Sequence, residues 1–308
     1  MVDSGLGLVL KSTGSWYEVL AEGERLQCRI RGKLRLKGVR STNPVVVGDW
    51  VRFETDEQGG YVISEIEPRR NYIIRRASNL SKESHIIAAN VDQALLVVTL
   101  FSPATATEFV DRFLVTCEAY KVPVTILLAK IDLAREHPEA VEEFHAIYES
   151  AGYKIVEVSA TEGDGVEEVR ELLRGKTTLL SGNSGVGKST LVAAVEQGLD
   201  IKTGEISQSH HKGKHTTTFS TMYPLAEDGY IIDTPGIKGF GLIDIEDAEL
   251  AHYFPEMMRF LPDCRFYNCS HTHEPGCAVV EAVKQGEIAY PRYESYLKIM
   301  DEDDKYRK

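Results

Sequence analysis

At 308 residues and 43% hydrophobic content, the chain is long enough for two or three domains with real cores. A net charge of −12 excludes indiscriminate binding to polyanions. Residues 1–10 lack a signal-peptide pattern and no apolar stretch approaches the roughly 20 residues of a membrane span, so a cytoplasmic protein without membrane contact is expected.

The first 78 residues predict a small all-β domain. Runs at Leu6–Lys11, Trp16–Leu20, Leu26–Arg31, Trp50–Thr55 and Tyr61–Ile66 are separated by Gly, Asp and Asn turn signals. Five short strands point to an oligonucleotide-binding (OB-fold) barrel. This part holds 13 Lys and Arg against 10 Asp and Glu, opposite in sign to the whole chain. Arg29, Arg31, Lys33, Arg35 and Lys37 alternate, so in an extended strand they share one face, flanked by Arg25 and Arg40. Such a stripe is either a solvated strand face or a track for phosphates.

From about Ser78 the pattern changes. Strand-like runs at Gln93–Leu100, Val122–Ala129, Lys154–Val158 and Lys176–Ser181 alternate with helical stretches at Thr107–Tyr120, Pro138–Ser150, Val166–Leu173 and Lys188–Gln197, which predicts a parallel α/β sheet. A hairpin of Thr216–Leu225 with Tyr230–Asp233 follows. Helices are then predicted at Glu246–Phe260, Ala278–Gln285 and Pro291–Asp301.

Gly182-Asn183-Ser184-Gly185-Val186-Gly187-Lys188-Ser189 matches the pattern G-x-x-x-x-G-K-[ST], with an apolar strand before it and a helix after. Glycines in such a loop let backbone N–H groups converge on phosphate oxygens at a helix N-terminus, where the dipole favours anions. Lys188 is placed to neutralise the β- and γ-phosphates and Ser189 to ligate Mg²⁺, with Thr190 next in the nucleotide-binding set. A chance glycine-rich turn is the rival account, and the flanking strand and helix argue against it. Downstream, Asp233-Thr234-Pro235-Gly236 ends an apolar strand. There Asp233 can hold Mg²⁺ through water, and the Gly236 N–H can meet the γ-phosphate.

Lys130-Ile131-Asp132, at the end of the strand Thr125–Ala129, resembles the [NT]-K-x-D base-reading element of GTPases. A carboxylate at Asp132 accepts both the N1–H and the exocyclic amine of guanine, a pair of donors adenine lacks. Ser159-Ala160 resembles the supporting loop of the same site. Ala129 departs from the pattern, standing where GTPases carry the Asn or Thr that ties this loop to the phosphate loop. In GTPases a Thr between the phosphate-loop helix and the next strand binds Mg²⁺ and the γ-phosphate; within Ser207–Thr217 the residue expected in that place is Thr217, with Thr216 the alternative. Ile237 occupies the place of the water-orienting Gln that many GTPases carry, which makes His215 a candidate for that task.

The base-reading elements precede the phosphate loop, so the domain is circularly permuted. Cys264, Cys269, His271 and Cys277 offer three thiolates and an imidazole, a closed tetrahedral set for structural Zn²⁺ that would hold a small helical module lacking a core of its own. The barrel, the permuted order, Val47-Gly48-Asp49-Trp50-Val51, Gly213-Lys214-His215-Thr216-Thr217-Thr218 and the cysteine cluster together resemble the ribosome small-subunit-dependent GTPase family (RsgA, YjeQ, YloQ) over essentially the whole chain. The resemblance implies an OB-fold RNA-binding domain at 1–78, a circularly permuted α/β P-loop GTPase domain at 79–243 and a helical zinc-binding module at 244–308. It also implies GTP and GDP as ligands with Mg²⁺ and one Zn²⁺, His271 rather than His273 as the zinc ligand, and a monomer. Its partner would be the small ribosomal subunit, met through rRNA contacts in late maturation and stimulating hydrolysis. An RNA-binding protein that uses GTP as a ligand and barely hydrolyses it is the alternative.

Overall fold

The computed structural model describes residues 4–30, 44–76, 84–196, 220–233 and 247–306. The chain divides into two compact units, one of residues 1–94, 167–181 and 188–239, the other of residues 95–166, 182–187 and 240–308.

The first unit begins with five strands: β1 (Ser4–Ser12), β2 (Tyr17–Ala21), β3 (Glu24–Ile30), β4 (Trp50–Thr55) and β5 (Tyr61–Ile66). β1, β2 and β3 pair antiparallel, β3 pairs parallel with β5, β5 antiparallel with β4, and β4 returns to β1. That last pairing closes the barrel and leaves no free edge. The β2–β3 turn places Glu22 and Gly23 at φ 49° and 82°, the two positive values of a tight hairpin. Val9, Val19, Leu26, Cys28, Phe53 and Ile63 fill the interior. Cys28 is therefore a packing residue, its thiol pushed up to about 11 by burial.

A ribbon that the sequence pattern did not reveal follows, β6 (Tyr72–Arg76) with β7 (Ser84–Ala89), paired antiparallel. The α/β elements then run β8 (Gln93–Val98), α1 (Thr107–Ala119), β9 (Val124–Ala129), α2 (Ile131–Ala134), α3 (Pro138–Ser150), β10 (Lys154–Val158), α4 (Val166–Leu173), β11 (Thr177–Gly182), α5 (Lys188–Val195), β12 (Thr221–Pro224) and β13 (Tyr230–Asp233). Within the first unit β11 pairs parallel with β13, and β12 and β13 form the expected hairpin.

In the second unit β9 lies between β8 and β10, and β9–β10 is parallel in unshifted register. Every residue of β8 is buried, as a strand covered on both faces requires. The C-terminal region is helical, but the single helix expected over Glu246–Phe260 is instead a 3₁₀ segment, Asp247–Tyr253, and a short α-helix, Pro255–Met258. Pro255 lacks an N–H to continue a preceding helix, and it sits at the start of the second piece. Helices Ala278–Lys284 and Tyr290–Tyr306 complete the region.

The expectation of a coreless module is corrected. Leu250, Phe254, Met257, Val279, Tyr296 and Ile299 pack into one cluster with Val115 of α1. Beneath it, the fully buried Arg292 donates to Asp111 of α1 at 2.6 Å and to Glu256 at 2.7 Å. Among the described residues no helix is long and apolar enough to cross a membrane.

Candidate functional site

β11 delivers the phosphate loop. Gly182, Gly185 and Gly187 have φ of 146°, 85° and 100°, values that L side chains rarely adopt. At Gly182 space decides as well, because a Cβ there would stand 2.3 Å from the Val97 carbonyl oxygen. Val186 is buried and pins the loop, while Ser184 and Gly185 are exposed and Asn183 half-buried. At Gly187–Lys188 the chain passes into α5. Lys188 and Ser189 open that helix half-buried, with Thr190 exposed. Burial lowers the Lys188 pKa and the Asp233 carboxylate works against that shift. Asp233 closes β13 directly opposite Leu180 of β11.

The residues that the sequence assigns to base reading leave neighbouring strand ends. Ala129 and Val158 are register partners in β9 and β10, so Lys130 and Asp132 emerge beside Ser159 and Ala160. Lys130 takes φ 56° and precedes α2, with Asp132 half-buried in its first turn. Ser159 is fully buried; its N–H donates to the Asp164 carbonyl and its own carbonyl accepts from the Gly163 N–H, which folds the loop tightly.

The sequence offered no tie between this loop and the phosphate loop, because Ala129 cannot make one. The structure places that tie one residue on. Lys130 Nζ donates to the Gly185 carbonyl at 2.8 Å and to the Ser102 carbonyl at 2.6 Å. Neither carbonyl carries a sequence signal, which is why the contact was not legible. Thr216, Thr217, His215, Gly236 and Ile237 lie outside the described residues.

A second constellation lies in the C-terminal region. The ligand atoms of Cys264, Cys269, His271 and Cys277 all fall within 4.8 Å of one another. His271 Nδ1 stands 3.6 Å from Cys264 Sγ and 3.5 Å from Cys277 Sγ. Tetrahedral Zn²⁺ with ordinary bond lengths demands S···N edges of about 3.6 Å, so the donor set fits that ion. Burial above all, with the sulfurs of Cys277 and Cys264, pushes the Cys269 thiol up to about 12. The surrounding chain fixes the ligands: Tyr293 donates to the His271 carbonyl and Tyr296 to the Ser270 carbonyl, each at 2.8 Å. His273 is exposed, outside the cluster.

On the barrel, Arg25 pairs with Glu18 at 2.7 Å, and the Arg29 guanidinium lies 4.0 Å over the half-exposed Trp16 ring. The rest of the basic stripe, Arg31–Arg40, lies outside the described residues.

A phosphate loop following the base-reading elements, behind a closed five-strand barrel, defines a P-loop nucleotide-binding protein of permuted order. Residues 66–243 match the family model described as RsgA GTPase, and residues 6–63 match that of the RsgA N-terminal domain. The chain belongs to the RsgA GTPase family. It is 54% identical, over 98% of both chains, to proteins of Bacteroides fragilis and Bacteroides thetaiotaomicron named small ribosomal subunit biogenesis GTPase RsgA and RsgA 2. Among solved structures it resembles YjeQ from Thermotoga maritima, with TM-score 0.77 and 37% identity over 97% of this chain and 98% of that one. It also resembles YloQ, described as a circularly permuted GTPase, with TM-score 0.73 and 28% identity over 99% and 96% of the two chains.

Proposed function

We propose that this chain hydrolyses GTP to GDP and phosphate on the small ribosomal subunit, which it meets through rRNA, and that the subunit stimulates the reaction late in its maturation. The observation that carries this reading is the Lys130–Gly185 bond, which joins a guanine-reading loop to a phosphate loop in a chain whose relatives are named for small-subunit biogenesis. In this reading Asp132 accepts from the guanine edge, the Lys130 stem lies along the base, and Ser159 and Ala160 support it. Gly182–Gly187 and Lys188 hold the phosphates. Ser189 and Thr217 ligate Mg²⁺, with Asp233 reaching it through water. Mg²⁺ held there would neutralise phosphate charge. Gly236 senses the γ-phosphate and His215 orients the attacking water. Cys264, Cys269, His271 and Cys277 hold structural Zn²⁺. The barrel over 1–78 carries RNA contact beside a GTPase domain at 79–243 and a zinc module at 244–308, in a cytoplasmic monomer.

The test is GTP turnover by the purified protein alone, then with small subunits, large subunits or naked RNA. Stimulation confined to small subunits supports the reading. A rate flat under every addition sinks it in favour of a GTP-liganded RNA-binding protein. His215→Ala lowers turnover and spares GTP binding; unchanged turnover removes His215 from the mechanism.

A further inference from the structure

Val47-Gly48-Asp49-Trp50-Val51 lies far from the phosphate loop in sequence, and none of these residues takes a part in the chemistry above. Within the first unit it begins a chain of contacts that ends on the strand feeding that loop. Asp49 is fully buried; its carboxylate accepts from Arg69 Nε at 2.6 Å and Nη2 at 2.7 Å, and from the Val46 N–H at 2.9 Å. Arg69 Nη2 also donates to the Pro44 carbonyl at 2.8 Å. One guanidinium thus staples the segment entering β4 to the segment leaving β5. Gly48 lies against the next piece, where a Cβ would stand 2.1 Å from the Ala89 carbonyl oxygen, and its own carbonyl accepts from Asn90 Nδ2 at 2.8 Å.

Asn90 passes the contact on. Its Oδ1 accepts from the Arg70 N–H at 2.8 Å, and Arg70 Nη2 donates to Asp92 Oδ1 at 2.6 Å. Asp92 grips the first residue of β11 from both sides. Its Oδ2 accepts from the Thr177 N–H and its N–H donates to the Thr177 carbonyl, each at 2.8 Å. Five residues on, the same strand ends at Gly182.

We propose that Arg69 and Arg70 are positioning residues that carry a load on the barrel to β11, so that engagement of the barrel by subunit RNA resets the phosphate loop. This inference rests on the subunit-stimulated reading above. A strand is a stiff ladder, and a displacement of about 1 Å at reacting groups changes rates by roughly 100-fold. The linkage needs only small movements, and its bonds of 2.6–2.8 Å, anchored on a buried ion pair, resist stretching.

Arg70→Gln is the decisive variant. The Arg70 side chain is 61% exposed, so its loss leaves folding nearly untouched while cutting the link to Asp92. Steady-state kcat and KM for GTP are measured with and without small subunits, alongside co-sedimentation with subunits in a non-hydrolysable GTP analogue. The expected result is intrinsic kcat and KM within about twofold of the parent, subunit binding within about threefold, and a stimulation factor reduced about tenfold. Arg69→Gln behaves alike, and Arg69→Lys restores part of the stimulation. Stimulation of Arg70→Gln within about twofold of the parent overturns the inference, as does an equal fall in intrinsic and stimulated kcat, the mark of plain structural support. A parent protein unmoved by subunits sinks the proposed function and this inference with it; a stimulated parent with an equally stimulated variant sinks this inference alone.

Discussion

Replacing Arg292 with Met leaves Asp111 and Glu256 buried together without a cation. The three side chains are 0%, 0% and 2% exposed, and the guanidinium approaches both carboxylates within 2.7 Å. Removing one partner of a buried ion pair costs about 3–5 kcal/mol, because the other charge stays desolvated and alone. Against a domain stability of about 5–15 kcal/mol that is a large share. The loss has a pH signature. Burial already raises the Asp111 pKa, and the Arg292 charge is the strongest influence holding it down. Without Arg292 the Asp111 carboxyl rises further above its unfolded value near ~4. A raised folded pKa contributes stability that is present below the unfolded pKa and lost as pH climbs through the folded one. Arg292→Met is therefore less damaging at pH about 5 than at pH about 8, by about 1.4 kcal/mol for each unit of upward shift within that window. Amide hydrogen exchange of helix Tyr290–Tyr306 reads the local stability at both pH values. Combining Arg292→Met with Asp111→Asn and Glu256→Gln recovers much of the protection, since neutral groups replace both charges. A loss under about 1 kcal/mol, or one equal at the two pH values, refutes the reasoning.

Two further outcomes follow from the sites. Lys130→Met removes two charge-assisted hydrogen bonds, together about 1–2 kcal/mol at a partly exposed position, so GDP binds about tenfold more weakly while preference for guanine over adenine persists. Fluorescent-GDP titration measures it, and unchanged affinity would show that the tie adds nothing. Cys277→Ser, or a strong chelator, removes one Zn²⁺ per chain and loosens residues 264–277. Helix Tyr290–Tyr306 keeps its circular-dichroism signal, because its apolar face packs on Val115 of α1 as well as on the module. Collapse of that helix on metal loss would mean the cluster, not the core, holds it.

Much of the barrel was legible because β-strands half-buried around a core alternate in hydrophobicity. All five predicted runs lie on observed strands; Trp50–Thr55 and Tyr61–Ile66 coincide with them, and the other three differ at their ends by a residue or two. The ribbon of β6 and β7 was not. Asn71-Tyr72-Ile73-Ile74-Arg75-Arg76 is short and ends in two arginines, and it becomes a strand through its pairing with Ser84–Ala89. The break at Phe254–Pro255 had a signal in the proline, outweighed by the apolar pattern around it.

Residue identity by itself carried the expected chemistry. Gly182–Ser189 needs glycines for backbone convergence, a carboxylate at Asp132 suits guanine, and three thiols with an imidazole within 14 residues suit zinc; each fact is a property of side chains at short spacing. Tertiary structure alone decided what holds these pieces in place. Lys130 finds a backbone carbonyl 55 residues on, Arg292 an aspartate 181 residues back, and Asp92 the first residue of a strand 85 residues on. Such partners are backbone groups or single acids, present everywhere in a chain, and only the fold selects which of them comes within 3 Å. The reason is physical: a hydrogen bond is short-ranged and blind to sequence distance, so local pattern encodes one partner and packing supplies the other.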